Sequence, residues 1–404
     1  VSNLTIKNST FKNCYANHLI ELCAVKDATI TGCKFSGFKA ASSDKTGDQA
    51  EAIQIDVAHK EGKTEWNGTY YTKDDTPCVN VTISGNTFTD YPVAIGNHHS
   101  LAGHHHSNVT VTNNTISGTT AQNSGIRMYG WDNSVVSGNV ISNYGTGIKA
   151  SASNSFMIQS NTIDKGTYGI INTDSSSGQI VGNAVSNMSN QGINVYGAGT
   201  KASLISQNIV TNGGTNGIKV NASANSDTIS SNTISGCDNG MYIYSSAVVT
   251  TIKSNNISSC NKYGVYITEK ASVKTLSKNT ISDIKKNGIY VKNNKIKIKF
   301  KSNKLSKVGS TAIKIDSKFS KKKKQKYTFA PKVVSLNLAG GNMTTQASNL
   351  KKIKIKVGKK TYTKSTKAKN YTFYFKKYKK KAKTATVTFT DKNKNTVARV
   401  LDLE

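Results

Sequence analysis

The sequence predicts an all-β chain: a parallel β-helix, a solenoid of about twelve coils of 22–25 residues, followed by a small antiparallel β-sandwich-like module. Three observations carry this: a recurring Asn-centred phrase, apolar residues at fixed offsets from it, and a change of character near residue 318.

The phrase is a small or polar residue, Asn, any residue, then Ile, Val or Phe. It reads GNTF at Gly85–Phe88, NNTI at Asn113–Ile116, GNVI at Gly138–Ile141 and SNTI at Ser160–Ile163. Asn markers fall at 86, 114, 139, 161, 183, 208, 232, 255, 279 and 303, and two earlier copies carry Ser9 and Cys33 at the marker. A fixed period in this range is the signature of a solenoid.

Three residues before each marker the chain is apolar, from Ile6, Ile30 and Ile83 through Ile158 and Ile205 to Leu276 and Phe300. Two residues after it the chain is apolar again, from Phe11 to Leu305. A second phrase follows in many copies: GIR (Gly125–Arg127), GIK (Gly147–Lys149), GIN (Gly192–Asn194) and GIY (Gly288–Tyr290). Short alternating segments broken by Gly, Asn and Ser, with no 3.6-residue period, read as strands. Each copy fits one turn of a parallel β-helix, with inward side chains stacked at about 4.8 Å.

The NxI…GIx rhythm resembles the right-handed parallel β-helix repeat of the pectate-lyase-like superfamily, over residues 1–318. The marker Asn is then expected at a bend, where it tolerates a left-handed conformation and bonds its stacked neighbour. The chain opens within a repeat, so it is expected to be a piece of a longer secreted or bacterial cell-surface protein whose signal lies elsewhere.

Residues 319–326 are Lys-rich and read as a linker. Residues 327–404 alternate with period two in KIKIKVGKKTYT (Lys352–Thr363), NYTFYFKK (Asn370–Lys377) and TATVTFTDKNKNTVARV (Thr384–Val400). This stretch resembles the Ig-like modules of bacterial surface proteins.

The formal net charge is +32, but residues 1–250 carry 14 basic and 16 acidic residues, and the rest 40 basic and six acidic. Arg127 and Arg399 are the only arginines, which argues against nucleic acid, whose readers lean on bidentate Arg. Lys352, Lys354 and Lys356 share one parity, either a solvated face or an attachment surface for an anionic cell-wall polymer. No apolar run approaches the ~18 residues of a membrane span. Six cysteines at irregular spacing suggest no disulfide framework; Cys237 and Cys260 are expected to stack inside adjacent coils.

Function on a solenoid is expected where its regularity fails. Markers 33 and 86 are 53 residues apart, and the excess lies in 37–50, 57–78 and 98–107. Outward positions of the neighbouring coils are Glu21, then Gln54 and Asp56, then His98, then Arg127 and Tyr129, then Lys149. Six of seven histidines lie between residues 59 and 106. Abstraction of the C5 proton of a uronate needs a base, a cation for the carboxylate and an acid for the leaving oxygen. His98 is the expected base, Arg127 and Lys149 the cations, Tyr129 the acid and Asp56 the partner orienting His98. Gln54, Glu51, Asn97, His99, Trp66 and Trp131 are expected to bind substrate.

Lyases and C5-epimerases of the resembled superfamily work on such grooves, which implies an acidic polysaccharide as partner. The chain carries no YGFDPH-like epimerase motif and no clustered aspartates of calcium-dependent pectate lyases. A hydrolase using Glu51 with Asp56, or Asp74 with Asp75, stays open. So does a non-catalytic surface adhesin or glycan-binding stalk. No cofactor is demanded. HHSLAGHHH (His98–His106) offers a divalent-metal site at His104 and His106, and the copper-associated β-helix proteins of nitrous-oxide systems share the general fold. The tyrosine column Tyr242, Tyr266 and Tyr290, with Tyr244 beside it, reads as cross-rung stacking or as a sugar platform.

Overall fold

The computed structural model describes every residue except 15–16, 40–49, 59–74, 99, 120–122, 293, 295, 319–323, 379–381 and 404, and leaves out the side chains of Lys318 and Lys324. All regular structure among the described residues is β, a parallel solenoid of about twelve turns with a separate small antiparallel sheet. The chain divides into two compact units, Val1–Thr228 and Ile229–Glu404.

In the first unit each expected apolar column is a continuous parallel ladder. Ile6, Ile30, Ile83, Val111, Val136, Ile158, Ile180 and Ile205 pair in succession. Phe11, Phe35, Phe88, Ile116, Ile141, Ile163, Val185 and Val210 form a second column. A third runs Ile20, Ile53, Ile95, Ile126, Ile148, Ile170, Ile193 and Ile218. The first two Phe pairs stack at 5.1 and 4.7 Å between ring centroids. β-Branched side chains at this spacing bury each other, so truncating one Ile to Ala in mid-column costs about 2–5 kcal/mol.

The Gly of the GIx phrase has a packing cause. A Cβ on Gly125 would lie 2.6 Å from Ile141 Cγ2 and 2.8 Å from the Gly147 carbonyl, so the second and third columns meet only where a side chain is missing.

The marker asparagines form a buried ladder. Asn114 Oδ1 accepts from Asn86 N at 2.9 Å and Asn86 Nδ2 at 3.0 Å, while Asn114 Nδ2 donates to Asn139 Oδ1 at 2.9 Å and to the Ile83 carbonyl at 3.0 Å. The left-handed residue is not the Asn, as the sequence suggested, but the one before it. Gly85, Asn113, Gly138, Ser160, Gly182 and Gln207 have φ between 54° and 66°. Turning the chain one residue early points the Asn side chain inward along the stack, where its amide groups are satisfied.

The second unit repeats the pattern and then departs from the expected boundary at 318. Lys324–Phe329 pairs antiparallel with Ile313–Lys318, so residues 324–326 are strand rather than linker; the remainder of that linker lies outside the described residues. Thr396–Asp402 runs parallel to Lys304–Val308, placing Val397 beside Leu305. Asn303 N and Nδ2 donate to Asn395 Oδ1 at 2.9 and 3.0 Å, so Asn395 occupies the next marker position. Buried Asp391 closes this ladder by accepting from Asn395 Nδ2 at 2.8 Å and from the Tyr327 hydroxyl. The Lys-rich stretch is therefore built onto the last coils instead of standing apart from them. Its remaining strands form a three-stranded antiparallel sheet (Lys332–Asn337, Asn342–Gln346, Asn370–Tyr374) and an antiparallel run in which Lys360–Ser365, Leu350–Val357 and Thr384–Asp391 lead in order to Thr396–Asp402.

Candidate functional site

The residues that gather chemistry lie on or beside strands Ile20–Cys23, Glu51–Asp56, Val93–Gly96, Ser124–Tyr129 and Val140–Ser151, five successive coils of the first unit. Register sets one column as Glu21, Gln54, Gly96, Arg127 and Lys149. Gly96 is the gap in it. Its φ is +154°, and a Cβ there would lie 2.3 Å from the Arg127 carbonyl oxygen. With no side chain on that coil, Arg127 reaches past it to the coil beyond.

What it reaches is Glu51, which is 0 % exposed. Arg127 Nη2 donates to Glu51 Oε1. His98 Nδ1 lies 3.3 Å from both carboxylate oxygens, and His18 Nδ1 lies 3.3 Å from Oε2. The two imidazoles face each other at 6.1 Å between centroids, 12° from parallel. Burial alone would raise the Glu51 pKa; hydrogen bonds from His18 and His98 and the Arg127 charge outweigh it and hold the carboxyl far below its usual range. An ionised carboxylate fixes the proton of each imidazole on Nδ1, leaving Nε2 of each as an acceptor. The Glu51 amide also lies 3.4 Å from His18 Nδ1, and Gln54 Nε2 3.4 Å from His98 Nδ1. A single nitrogen cannot donate and accept at once, and the charged, shorter contacts with Glu51 prevail.

Around this core, Gln54 is buried and its Nε2 donates to Asp56 Oδ2 at 3.3 Å, while its Oε1 is a buried acceptor with no partner among the described residues. Asp56 Oδ2 accepts from Gln54 Nε2 and its Oδ1 from the Val57 amide, while Glu51 holds His98 at Nδ1. Lys149 and Tyr129 are half-buried at register positions beside Arg127 and Ser151.

Several expectations change. Arg127, 8 % exposed, spends its charge on Glu51, so a substrate carboxylate would fall to Lys149. Glu51 is too buried to touch substrate and too acidic to donate a proton, which removes it from the hydrolase pair with Asp56. Asn97 supports the chain: Nδ2 donates to the Tyr129 carbonyl at 2.6 Å and Oδ1 accepts from the Trp131 indole at 3.0 Å. Trp131 is 0 % exposed and belongs to the core. His99, Trp66 and Asp74 lie outside the described residues.

His104 and His106 have different surroundings. His106 is buried, with Nδ1 accepting from the Cys78 amide at 3.1 Å, while half-buried His104 lies 3.9 Å from Asp75. Among the described residues the three groups whose ligand atoms gather within 4.8 Å are Glu21, Cys23 and Asp56. Burial, then the Glu21 and Asp56 carboxylates, push the Cys23 thiol far above its usual pKa, so it stays protonated.

His18 is the residue that sequence reasoning missed. The signal was present: aligning Ile20 with Ile53 places His18 opposite Glu51. In the second unit, Tyr242, Tyr266 and Tyr290 stack at 5.1 and 5.4 Å, within 13° of parallel, and Lys314 Nζ lies 5.2 Å from the Tyr290 centroid. Those ring faces cover each other, so they cannot serve as a sugar platform. All six cysteines are free, and Cys237 and Cys260 are buried; burial pushes the Cys260 thiol up to about 12.

Residues 67–227 match the family described as right handed beta helix region, and residues 157–345 match the family described as periplasmic copper-binding protein (NosD). Over 148 residues the chain is 29 % identical to plasmin and fibronectin-binding protein A of Streptococcus pneumoniae, a match covering 34 % of this chain and 20 % of that protein. It thus spans about a fifth of that relative's length. Among solved structures, the surface adhesin PfbA of Streptococcus pneumoniae is similar over 83 % of this chain and 67 % of its own, at 16 % identity and a TM-score of 0.36. The A-module of mannuronan C-5 epimerase AlgE6 from Azotobacter vinelandii is similar over 75 % of this chain and 76 % of its own, at 15 % identity and a TM-score of 0.43.

Proposed function

We propose that this right-handed β-solenoid is an extracellular or cell-surface protein that removes the C5 proton of a uronate residue in an acidic polysaccharide, as a C5-epimerase or a lyase. One observation carries the reading: a buried, ionised Glu51 holding His18, His98 and Arg127 together. Burying a carboxylate costs several kcal/mol unless it is fully paired, and the solenoid needs none there, since the coils on either side use other residues in that strand.

His98 is the base. With its proton on Nδ1, donated to Glu51, its Nε2 takes the C5 proton while Glu51 stabilises the imidazolium that forms. Lys149 neutralises the substrate carboxylate as negative charge develops there, and Gln54 Oε1 accepts a sugar hydroxyl. Tyr129 then completes either outcome. Returning a proton to the opposite face of C5 gives the epimer; donating it to O4 while the C4–O4 bond breaks gives an unsaturated end.

Incubation with alginate, pectate and glycosaminoglycan samples tests this. Elimination raises ultraviolet absorbance, and epimerisation exchanges solvent deuterium into C5. His98→Ala should lower either signal about 100-fold or more; neither signal from the wild type on any of these polymers would overturn the proposal. The rival is an adhesin that only binds. It is favoured by the engagement of Arg127 with Glu51, which withdraws the strongest cation from substrate, and by the name of the pneumococcal relative. Unchanged glycan or host-protein binding in His98→Ala, with no chemistry in either form, would support it.

A further inference from the structure

At its C-terminal side the solenoid's faces end differently. Lys304–Val308 gains Thr396–Asp402 as a parallel neighbour, and Ile313–Lys318 gains Lys324–Phe329 as an antiparallel one. Lys299–Lys301 on the remaining face pairs with Ser272–Ser277 and, among the described residues, with no further strand. Just upstream, the Gln325 side chain stands in for the missing neighbour. Its Oε1 accepts from Ile298 N at 3.0 Å and its Nε2 donates to the Ile298 carbonyl at 3.3 Å.

Beyond that clasp the edge opens on a cavity of about 800 Å³, with buried Phe300 and Tyr327 in its lining. Lys297, Lys299, Lys301, Lys326, Lys392 and Lys394 line it, all exposed, and no acid is among the described lining residues. One or two lysines suffice to guard an open strand edge against pairing with another chain. Six around one concavity go further, because a low-dielectric wall lined by one sign of charge focuses its field into the hollow.

We propose that this cavity binds a segment of an anionic polysaccharide, its acidic groups taken by the lysines. Three observations favour a glycan over nucleic acid. The cations are lysines, compact point charges suited to scattered carboxylates or phosphates rather than to planar bidentate recognition. Phe300 and Tyr327 are buried, so the cavity offers no open ring face on which a base would stack. Arg399, the one arginine of this unit, donates to the Val308 carbonyl at 3.1 Å.

The test uses the whole chain and fluorescent oligogalacturonate, a hexose-phosphate oligosaccharide and single-stranded DNA of matched charge, at about 0.15 M salt. Lys299→Gln/Lys301→Gln/Lys392→Gln is compared with Lys352→Gln/Lys354→Gln/Lys356→Gln, which removes the same charge from exposed positions of Leu350–Val357. Thermal unfolding of both variants confirms that they fold. The first should weaken binding of at least one glycan roughly ten- to hundredfold, and the second no more than about twofold. The glycan that binds tighter names the acidic group. Equal losses in both variants would mean that net charge alone attracts the polymer and would overturn the site. So would tighter binding of DNA than of either glycan, or no binding of the glycans.

Discussion

The Glu51 cluster and the Lys299–Lys301 edge handle charge in opposite ways. In the first, a buried carboxylate is held by three basic side chains at hydrogen-bond distance. In the second, six exposed lysines surround one hollow with no lining acid among the described residues. The first arrangement fixes orientation and protonation and is nearly indifferent to salt. The second fixes neither, and acts through a field that salt screens within a Debye length of about 8 Å. One chain thus carries a site built for chemistry and a surface built for attraction, and net charge reports only the surface.

The largest expected effect breaks the first arrangement. Glu51→Gln leaves Arg127 buried without its counter-charge and should cost about 3–5 kcal/mol in denaturant unfolding. The sign with pH follows from the depressed carboxyl pKa. The stability that ionised Glu51 contributes is present above its unfolded value of 4.5 and is lost as pH falls below it toward the folded value. Wild type should therefore lose up to about 1.4 kcal/mol per pH unit there from this group, and Glu51→Gln should lack that part of the slope. A variant with the wild-type acid slope would show that Glu51 is not held ionised.

Gly96→Ala comes next. Its Cβ would meet the Arg127 carbonyl, so a cost of roughly 1–3 kcal/mol is expected, along with loss of whatever chemistry His98 performs. A full-activity, full-stability Gly96→Ala would mean that Arg127 does not need the gap. The smallest effect belongs to the charged end. Lys352→Gln/Lys354→Gln/Lys356→Gln should change stability by no more than about 0.5 kcal/mol, measured by the same denaturant titration.

The solenoid was legible because its columns repeat: Ile30, Ile83 and Val111 announce one another, and a single misread coil would not hide the period. The candidate site was legible only in part. Scarce residue types pointed to His98 and Arg127, but outward alternation says nothing of depth, so Glu51, Asn97 and Trp131 were read as groove residues when they are buried. His18 was hidden because it lies before the aligned outward positions and outside any GIx phrase, although its register with Glu51 could have been counted. The last rung was missed for another reason. Lys394–Val397 reads KNTV, a full marker phrase with left-handed Lys394 before its Asn, but it follows a long stretch of unrelated pattern.

That last rung has a consequence for how the protein forms. A solenoid can fold coil by coil, each new turn docking on one made moments before. Asn395, however, meets Asn303 across 92 residues of chain. Closing a loop of that length costs several kcal/mol of entropy, though the cost grows only slowly with length. During synthesis the turn ending in Lys304–Val308 therefore waits with an open edge until Thr396–Asp402 has left the ribosome. Completion of the stack is a late, non-local step, and removing those seven residues should slow or abort maturation of the coils before them.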